Sequence, residues 1–255
     1  MRKARESQIL ELLSQCGRME VSVLAQRLGV SQVTVRKDLD ALEERGILRR
    51  EHGFAVSGSG DDVNNRLAIH YEEKHRIARR AARLVSPGET VMIESGSCCA
   101  LLAEEIARSK PGATIITNSA FIASYIRRVD GARVVLLGGD FQNDAQVMVG
   151  PILKVCAQQF YVERLFVGAD GWSPALGFTG NNHLRVQAVR DMAEHAGQVI
   201  VVTESEKFSQ RGVVPLNLPA GASAVVTDCG LTGEQARRLS EAGTEIYQAE
   251  EESAL

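Results

Sequence analysis

Five short runs of small and polar residues in this chain share a chemical capability, that of holding a compact anionic or hydroxylated molecule. They are Glu94-Ser95-Gly96-Ser97-Cys98, Thr117-Asn118-Ser119, Gly138-Gly139-Asp140, Gly168-Ala169-Asp170-Gly171 and Glu204-Ser205-Glu206-Lys207. Glycine lets backbone approach a ligand closely, and a helix that begins at such a run offers unpaired N–H groups to an anion. Ser95-Gly96-Ser97, with a glycine between two hydroxyls, suits a phosphate held that way, and Lys207 adds a point charge. Glu94, Asp170, Glu204 and Lys207 could also supply acid, base and oxyanion stabilisation, so an enzyme acting on such a small polar molecule is the rival reading. Each run alone is ordinary loop punctuation; their recurrence after successive strand patterns carries the weight. A sixth run, Phe178-Thr179-Gly180-Asn181-Asn182-His183, suits ligand contact or a plain surface loop equally well.

A second group of residues points to a different partner. Ser31-Gln32-Val33-Thr34-Val35-Arg36-Lys37-Asp38-Leu39 opens on a helix N-cap and places polar and basic side chains on its first turns. Val35, Leu39 and Leu42 form an apolar stripe three or four residues apart, leaving Gln32, Thr34, Arg36 and Lys37 mainly off it. Arg36 and Gln32 suit bidentate contacts to base edges, whereas Lys37 and Thr34 suit phosphates. A solvated face on a bundle helix is the plainer alternative.

The elements around that stretch favour DNA. Ile9, Leu10, Leu12 and Leu13 predict a first helix over about residues 2–16, ended by Gly17, with residues 18–21 as a connector. Ser22 is expected to cap a second helix with Val23, Leu24, Ala25 and Leu28 inside, and Gly29 permits the turn before Ser31. Gly46 is placed to end the third helix. Residues 47–56 read as two short strands around a turn, a wing that carries Arg49, Arg50 and His52 along the DNA backbone. Three helices and a basic hairpin make a winged helix-turn-helix.

Beyond it, residues 57–62 are Gly/Ser/Asp-rich and read as a linker. One helix is then predicted through about residue 85, with Ile77, Ala78, Ala81, Ala82 and Leu84 inside. His70, Glu72 and His75 could be drawn as metal ligands, but a solvated surface explains them, and no metal or cofactor is expected. Strand patterns at 90–94, 113–117, 133–137, 164–167, 199–203 and 224–227 alternate with helical ones at 98–109, 119–129, 186–196 and 232–241. That alternation predicts an open, mostly parallel α/β sheet, whose C-terminal strand ends border a ligand crevice. The tail from residue 248 is acidic and expected to fray. The expected domains are 1–57 for DNA, 58–70 as linker, and 71–250 for effector binding and oligomerisation.

Composition sets the outer bounds. The 255 residues are 44% hydrophobic and 24% charged, ordinary for a globular protein, with room for a small domain and a full α/β domain. No apolar run reaches membrane-spanning length, and the N-terminus lacks the apolar core of a signal peptide, so a cytoplasmic location is expected. Five scattered cysteines without a metal-ligand spacing are expected as thiols. The net charge of −3 is unevenly spread: residues 1–57 hold ten Lys/Arg against eight Asp/Glu, the rest nineteen against twenty-four. That asymmetry leans weakly towards DNA.

Arg5, Ile9, Leu13, Ser31, Thr34, Val35, Arg36, Lys37, Asp38 and Leu39 resemble, in type and spacing, the N-terminal signature of DeoR-family bacterial regulators. Within that signature Asp38 either orients the basic pair or caps locally. The wing departs from the family, which commonly has two glycines after the histidine; here the second is Phe54. The five polar runs resemble the family's effector domain, similar in fold to ribose-5-phosphate isomerase and glucosamine-6-phosphate deaminase, so the rival enzyme would be a sugar-phosphate isomerase or deaminase with an accessory DNA-binding domain. The resemblance implies a repressor, or an activator or dual regulator, that binds double-stranded operator DNA as a dimer or tetramer. It also implies a phosphorylated sugar or related metabolite near Ser95, Gly96, Ser97, Cys98, Asn118, Ser119, Gly138, Gly139, Asp170, Gly171 and Lys207. Ser31, Gln32, Thr34, Arg36, Lys37, Arg49, Arg50 and His52 are the expected DNA-contacting residues. Family members usually carry Asp-Ser-Gly-Thr-Thr and Asp-Ser-Ser-Lys at the first and last runs. Glu94 and Glu204 lengthen both carboxylates here, and Ser97 and Cys98 replace the threonines.

Overall fold

The computed structural model describes residues 2–56 and 63–250, so the predicted linker run at 57–62 and the last five residues lie outside the described residues. The chain divides into two compact units, Met1–Glu72 and Glu73–Leu255.

In the first unit, α1 (Arg2–Cys16), β1 (Arg18–Glu20), α2 (Val21–Leu28), α3 (Gln32–Glu44), β2 (Arg49–Glu51), β3 (Phe54–Val56) and α4 (Val63–Ala68) follow in order. Ile9, Leu10 and Leu13 of α1, Leu24 of α2 and Val35, Leu39 and Leu42 of α3 are buried together with Ile47, Leu48 and Ala55. The helices thus form because one stripe of each is apolar and finds the others. The connector predicted at 18–21 is largely a strand: β1 pairs antiparallel with β3, which also pairs with β2, making a three-stranded sheet. That strand displaces the expected Ser22 cap. It runs straight into α2, with Glu20 at the cap position, and the Val21 N–H bonds to Gly53 O at 2.9 Å. Gly46, at φ +73°, follows α3 as expected, its N–H and that of Ile47 bonding to Glu43 O and Leu42 O.

The single helix predicted before residue 85 is two, α4 and α5 (Tyr71–Ala82). The second unit continues with β4 (Thr90–Ile93), α6 (Ser97–Ser109), β5 (Ala113–Thr117), α7 (Ala120–Tyr125) and β6 (Ala132–Leu136). A hairpin of β7 (Asp140–Gln142) and β8 (Val147–Val149) leads to α8 (Pro151–Ala157) and β9 (Val162–Val167). Next come β10 (Gly171–Ser173), β11 (Gly177–Gly180), α9 (His183–Ala193), β12 (Ala196–Val202), a 3-10 turn (Ser205–Ser209) and β13 (Val214–Pro215). The fold ends with β14 (Ala224–Thr227), α10 (Gly233–Glu241) and β15 (Glu245–Gln248).

Seven of these strands form one sheet in the order β6-β5-β4-β9-β12-β14-β15, and all its neighbours are parallel. Val91, Met92 and Ile93, Leu165 to Val167 and Val199 to Val202 are buried, as strands covered on both faces must be. The chain winds outward from β4 to β6, returns to the other side of β4, and winds outward again from β9. In open parallel sheets a reversal of that kind marks the place expected for a ligand crevice, here the C-terminal ends of β4 and β9. Two expectations need correction. Residues 245–248 are a paired edge strand, and Ala249 behind it is buried with its N–H 2.8 Å from Thr227 O, so the frayed tail cannot begin at 248. Helix α7 stops at Tyr125 rather than at about 129.

Candidate functional site

The reading helix. Ser31 Oγ accepts the Thr34 N–H at 3.2 Å and pairs with the Thr34 hydroxyl at 2.9 Å, so both hydroxyls serve the cap first. Asp38 reaches across to the first helix. It is buried, and the Arg5 guanidinium of α1 donates to it twice, at 2.5 and 3.1 Å. That hydrogen bond, with charge attraction, raises the Arg5 pKa above its ordinary value against the opposing effect of desolvation. The signature pair Arg5 and Asp38 therefore locks α1 to α3. What α3 leaves exposed in its first turns is Gln32, Val33, Arg36 and Lys37.

The wing turns on two residues. His52 (φ +42°) and Gly53 (φ +89°) are both left-handed, the requirement of a two-residue hairpin turn whose twist matches its strands. Phe54 is outside the turn, as the first residue of β3, with the Arg18 guanidinium 4.0 Å from its ring centre. The missing second glycine therefore leaves the hairpin intact. Arg49 and His52 are exposed. Arg50 is not a free cation: its guanidinium is bonded to Asp40 of α3, and its N–H to Glu43 Oε1 at 2.9 Å.

The crevice. Glu94 and Ser95 sit buried at the end of β4. Ser95 Oγ donates to Glu94 Oε1 at 2.5 Å, and the Gly168 N–H, just past β9, reaches Glu94 Oε2 at 3.4 Å. Glu94 thus bridges the two strand ends at the switch point. Gly96, at φ +123°, turns the chain into α6, whose first N–H groups have no acceptor within the helix. Cys98 in that first turn is buried, and its thiol pKa is pushed up to about 12. Desolvation is the main cause and the Glu204 charge the second; Lys74 and Lys207 pull the other way, and Asp228 adds a small push. Those influences mark which charges gather there.

Lys74 of α5 was missed in the sequence reading. Its amine lies 3.4 Å from Glu204 Oε2, with both side chains nearly excluded from water (3% and 8% exposed). A signal was available, because Lys74 precedes Ile77, Ala78 and Ala81 by three, four and seven residues and so shares their inward stripe. Lys207 is partly exposed and donates to Glu206 at 2.8 Å and Gln210 at 3.4 Å. Asp228 receives the N–H groups of Ser205 (2.7 Å) and Gly230 (2.8 Å). Burial opposes its ionisation, but the bonds from Ser205 and Gly230 outweigh that and hold its carboxyl below the usual range.

The other predicted residues serve the frame more than an open cleft. Asn118 and Ser119 are fully buried; the Asn118 amide donates to Met148 O at 3.0 Å, and Ser119 caps α7 through the Ile122 N–H. A side chain at Gly139 would meet Val149 O at 2.6 Å, and one at Gly171 would meet Gln210 O at 2.6 Å. Both are glycines because backbone passes against them, and Gly138 packs beside Cys156 and Ile152. Asp170 accepts the Asn181 N–H at 2.8 Å, Asn182 caps α9, and the residues of β11 pair with β10 and β13, so the 178–183 run is fixed by the segments around it.

Residues 5–60 match the model of the DeoR-like helix-turn-helix domain, and residues 69–229 that of the DeoR C terminal sensor domain. The chain belongs to the DeoR family. Among its relatives, the putative aga operon transcriptional repressor of Escherichia coli O157:H7 is 27% identical over 95% of this chain and 92% of that one. The regulator GolR of Listeria innocua is 25% identical over 96% and 98%. The full-length sorbitol operon regulator SorC of Klebsiella pneumoniae superposes with a TM-score of 0.41 over 87% of this chain and 94% of that one, at 13% identity. As a DeoR-family member this chain is a DNA-binding transcriptional regulator, and the isomerase or deaminase reading falls. Among the described residues of this regulator no helix is long and apolar enough to cross a membrane.

Proposed function

We propose that this chain is a cytoplasmic homo-oligomeric repressor of a carbohydrate-utilisation operon, released from double-stranded operator DNA by a phosphorylated sugar. The observation that carries the reading is the switch-point crevice. There the first turn of α6 opens beside Ser95 and Ser97, and the charges of Lys74 and Lys207 both act on Cys98 against the rise of its pKa. A phosphate there accepts N–H groups from α6 and draws Lys207 away from Glu206, while the sugar hydroxyls meet the carboxylates. A relative named as a putative aga operon transcriptional repressor supports the repressor part of the reading. In the proposed division, residues 1–57 bind DNA, 58–70 connect, and 71–250 bind the effector and oligomerise. Gln32, Arg36, Lys37, Arg49 and His52 meet DNA, with Ser31 and Thr34 holding the helix start. Release requires the effector to bind the DNA-incompetent arrangement more tightly, by the same factor that it weakens operator binding.

A thermal-shift screen of phosphorylated sugars against their unphosphorylated forms tests the ligand class. Stabilisation by the phosphorylated member of a pair supports it, and equal shifts within every pair refute it. Arg36→Ala should cost about 1–3 kcal/mol of operator binding while leaving the effector shift intact. Lys207→Ala should retain operator binding and lose effector release, and a fully inducible variant would remove Lys207 from the site.

A further inference from the structure

Helix α3 exposes one residue that its partner-binding chemistry does not yet use. Val33, the second residue of the helix, is 61% exposed, whereas Val35, Leu39 and Leu42 on the same helix are fully buried. Scattered exposed apolar residues need no explanation, but the position of this one is particular. Val33 precedes Arg36 by three and Lys37 by four residues, so it shares their face, and it directly follows Gln32. The Ser31 cap fixes the turn that carries it. The surface α3 presents in its first turns is thus a branched apolar group flanked by one amide and two cations.

We infer that Val33 is a specificity-determining residue that packs on the C5-methyl group of a thymine in the major groove. The proposal rests on α3 being the reading helix. Its chemistry follows from the groove: the thymine methyl is the one apolar group that a base edge offers there, and hydrogen-bonding side chains cannot read it. Arg36 and Lys37 hold the helix against guanine edges and phosphates, and Val33 then loses water against the methyl group. A β-branched side chain restricted to few rotamers gives up little entropy on doing so.

The test uses the full-length protein and the duplex that it selects from a random double-stranded pool. Each thymine in turn is replaced by deoxyuridine, which deletes the methyl and keeps every hydrogen-bonding group. Wild type should lose about four-fold in affinity at one thymine per half-site, the worth of one buried methyl group at about 0.8 kcal/mol. Val33→Ala should bind the thymine and uracil duplexes equally at that position, with an unchanged melting temperature and sedimentation coefficient. Wild-type affinity indifferent to every substitution would overturn the assignment, as would a Val33→Ala protein that keeps the wild-type thymine preference. Arg36→Ala, measured on the same duplex, separates the two levels. If it loses specific binding while deoxyuridine has no effect, α3 still reads DNA and only the Val33 assignment fails. If it binds as wild type does, the reading helix itself is wrong.

Discussion

Replacing Lys74 by Met tests whether the charges gathered in the crevice act as a unit. The stem of the side chain stays and only the ammonium is lost, so the change reports charge rather than volume. At 3.4 Å the Lys74–Glu204 attraction is about 5 kcal/mol with an effective dielectric near 20, before the cost of desolvating both ions. Removing one partner leaves Glu204 only 8% exposed and without that cation. Breaking such a buried pair costs about 3–5 kcal/mol, so Lys74→Met should destabilise the second unit by roughly 3 kcal/mol. Lys74→Met/Glu204→Gln removes both charges, and a neutral pair of similar volume should return to within about 1 kcal/mol of wild type. Trp172, the chain's one tryptophan, lies 5.6 Å from Phe208 in the same unit and reports its unfolding by fluorescence. With a urea dependence of about 3 kcal/mol/M, the single variant's midpoint should fall by about 1 M and the double variant's should largely recover. A single variant within about 0.5 kcal/mol of wild type would refute the reasoning. So would a double variant no more stable than the single.

Three further outcomes follow from particular groups. At pH 8 a thiol with a pKa of about 12 is ionised in about one molecule in ten thousand, against about a quarter for an unperturbed thiol. Iodoacetamide should therefore label exposed Cys16 and Cys229 in the native protein and spare Cys98 until urea is added; native labelling of Cys98 would contradict its burial. Asp228 has a depressed folded pKa, so its contribution to stability is present above the unfolded value and lost as pH falls through the folded one. Asp228→Asn should be less stable than wild type at pH 7, with the gap closing below about pH 4, and a gap that widens towards acid would show the sign to be wrong. Asp40→Asn should free Arg50 and steepen the salt dependence of binding to random duplex by about 0.9 in log–log slope. Adding Arg50→Ala should cancel the gain, and anisotropy titrations that show the same slope for both variants would exclude Arg50 as a latent phosphate contact.

Much of the first unit was legible because its signals are local. The caps at Ser31 and Gly46 and the stripe of Val35, Leu39 and Leu42 act within a few residues of one another. Strand β1 was not legible: its exposed-buried-exposed alternation spans only three residues, too few to establish a period, and its partner Ala55 is remote in sequence. The same strand explains why Ser22 looked like a cap, since the competing bond from Val21 to Gly53 depends on a pairing that no local pattern announces. In the second unit, the strand patterns at 113–117 and 224–227 coincide with β5 and β14, whose residues are almost all buried. Edge strand β15 is half-exposed, so its four residues carried too little apolar signal beside the acidic tail.

By itself the sequence determined what short-range physics can settle: that α3 starts after the Ser31 cap and ends before Gly46, and which of its faces is apolar and which carries charge. It also placed Ser95, Gly96 and Ser97 at a strand-to-helix turn, because the end of an apolar run and the start of an amphipathic one are both local. Only the tertiary structure decided which polar groups share a crevice. Strand order is set by pairings between distant segments, and the reversal between β4 and β9 is what brings Glu94 beside Gly168, and the end of β12 within reach of α6. That arrangement admitted Lys74, which the sequence had hidden on an apolar stripe, and it revealed that other backbone passes close against Gly139 and Gly171.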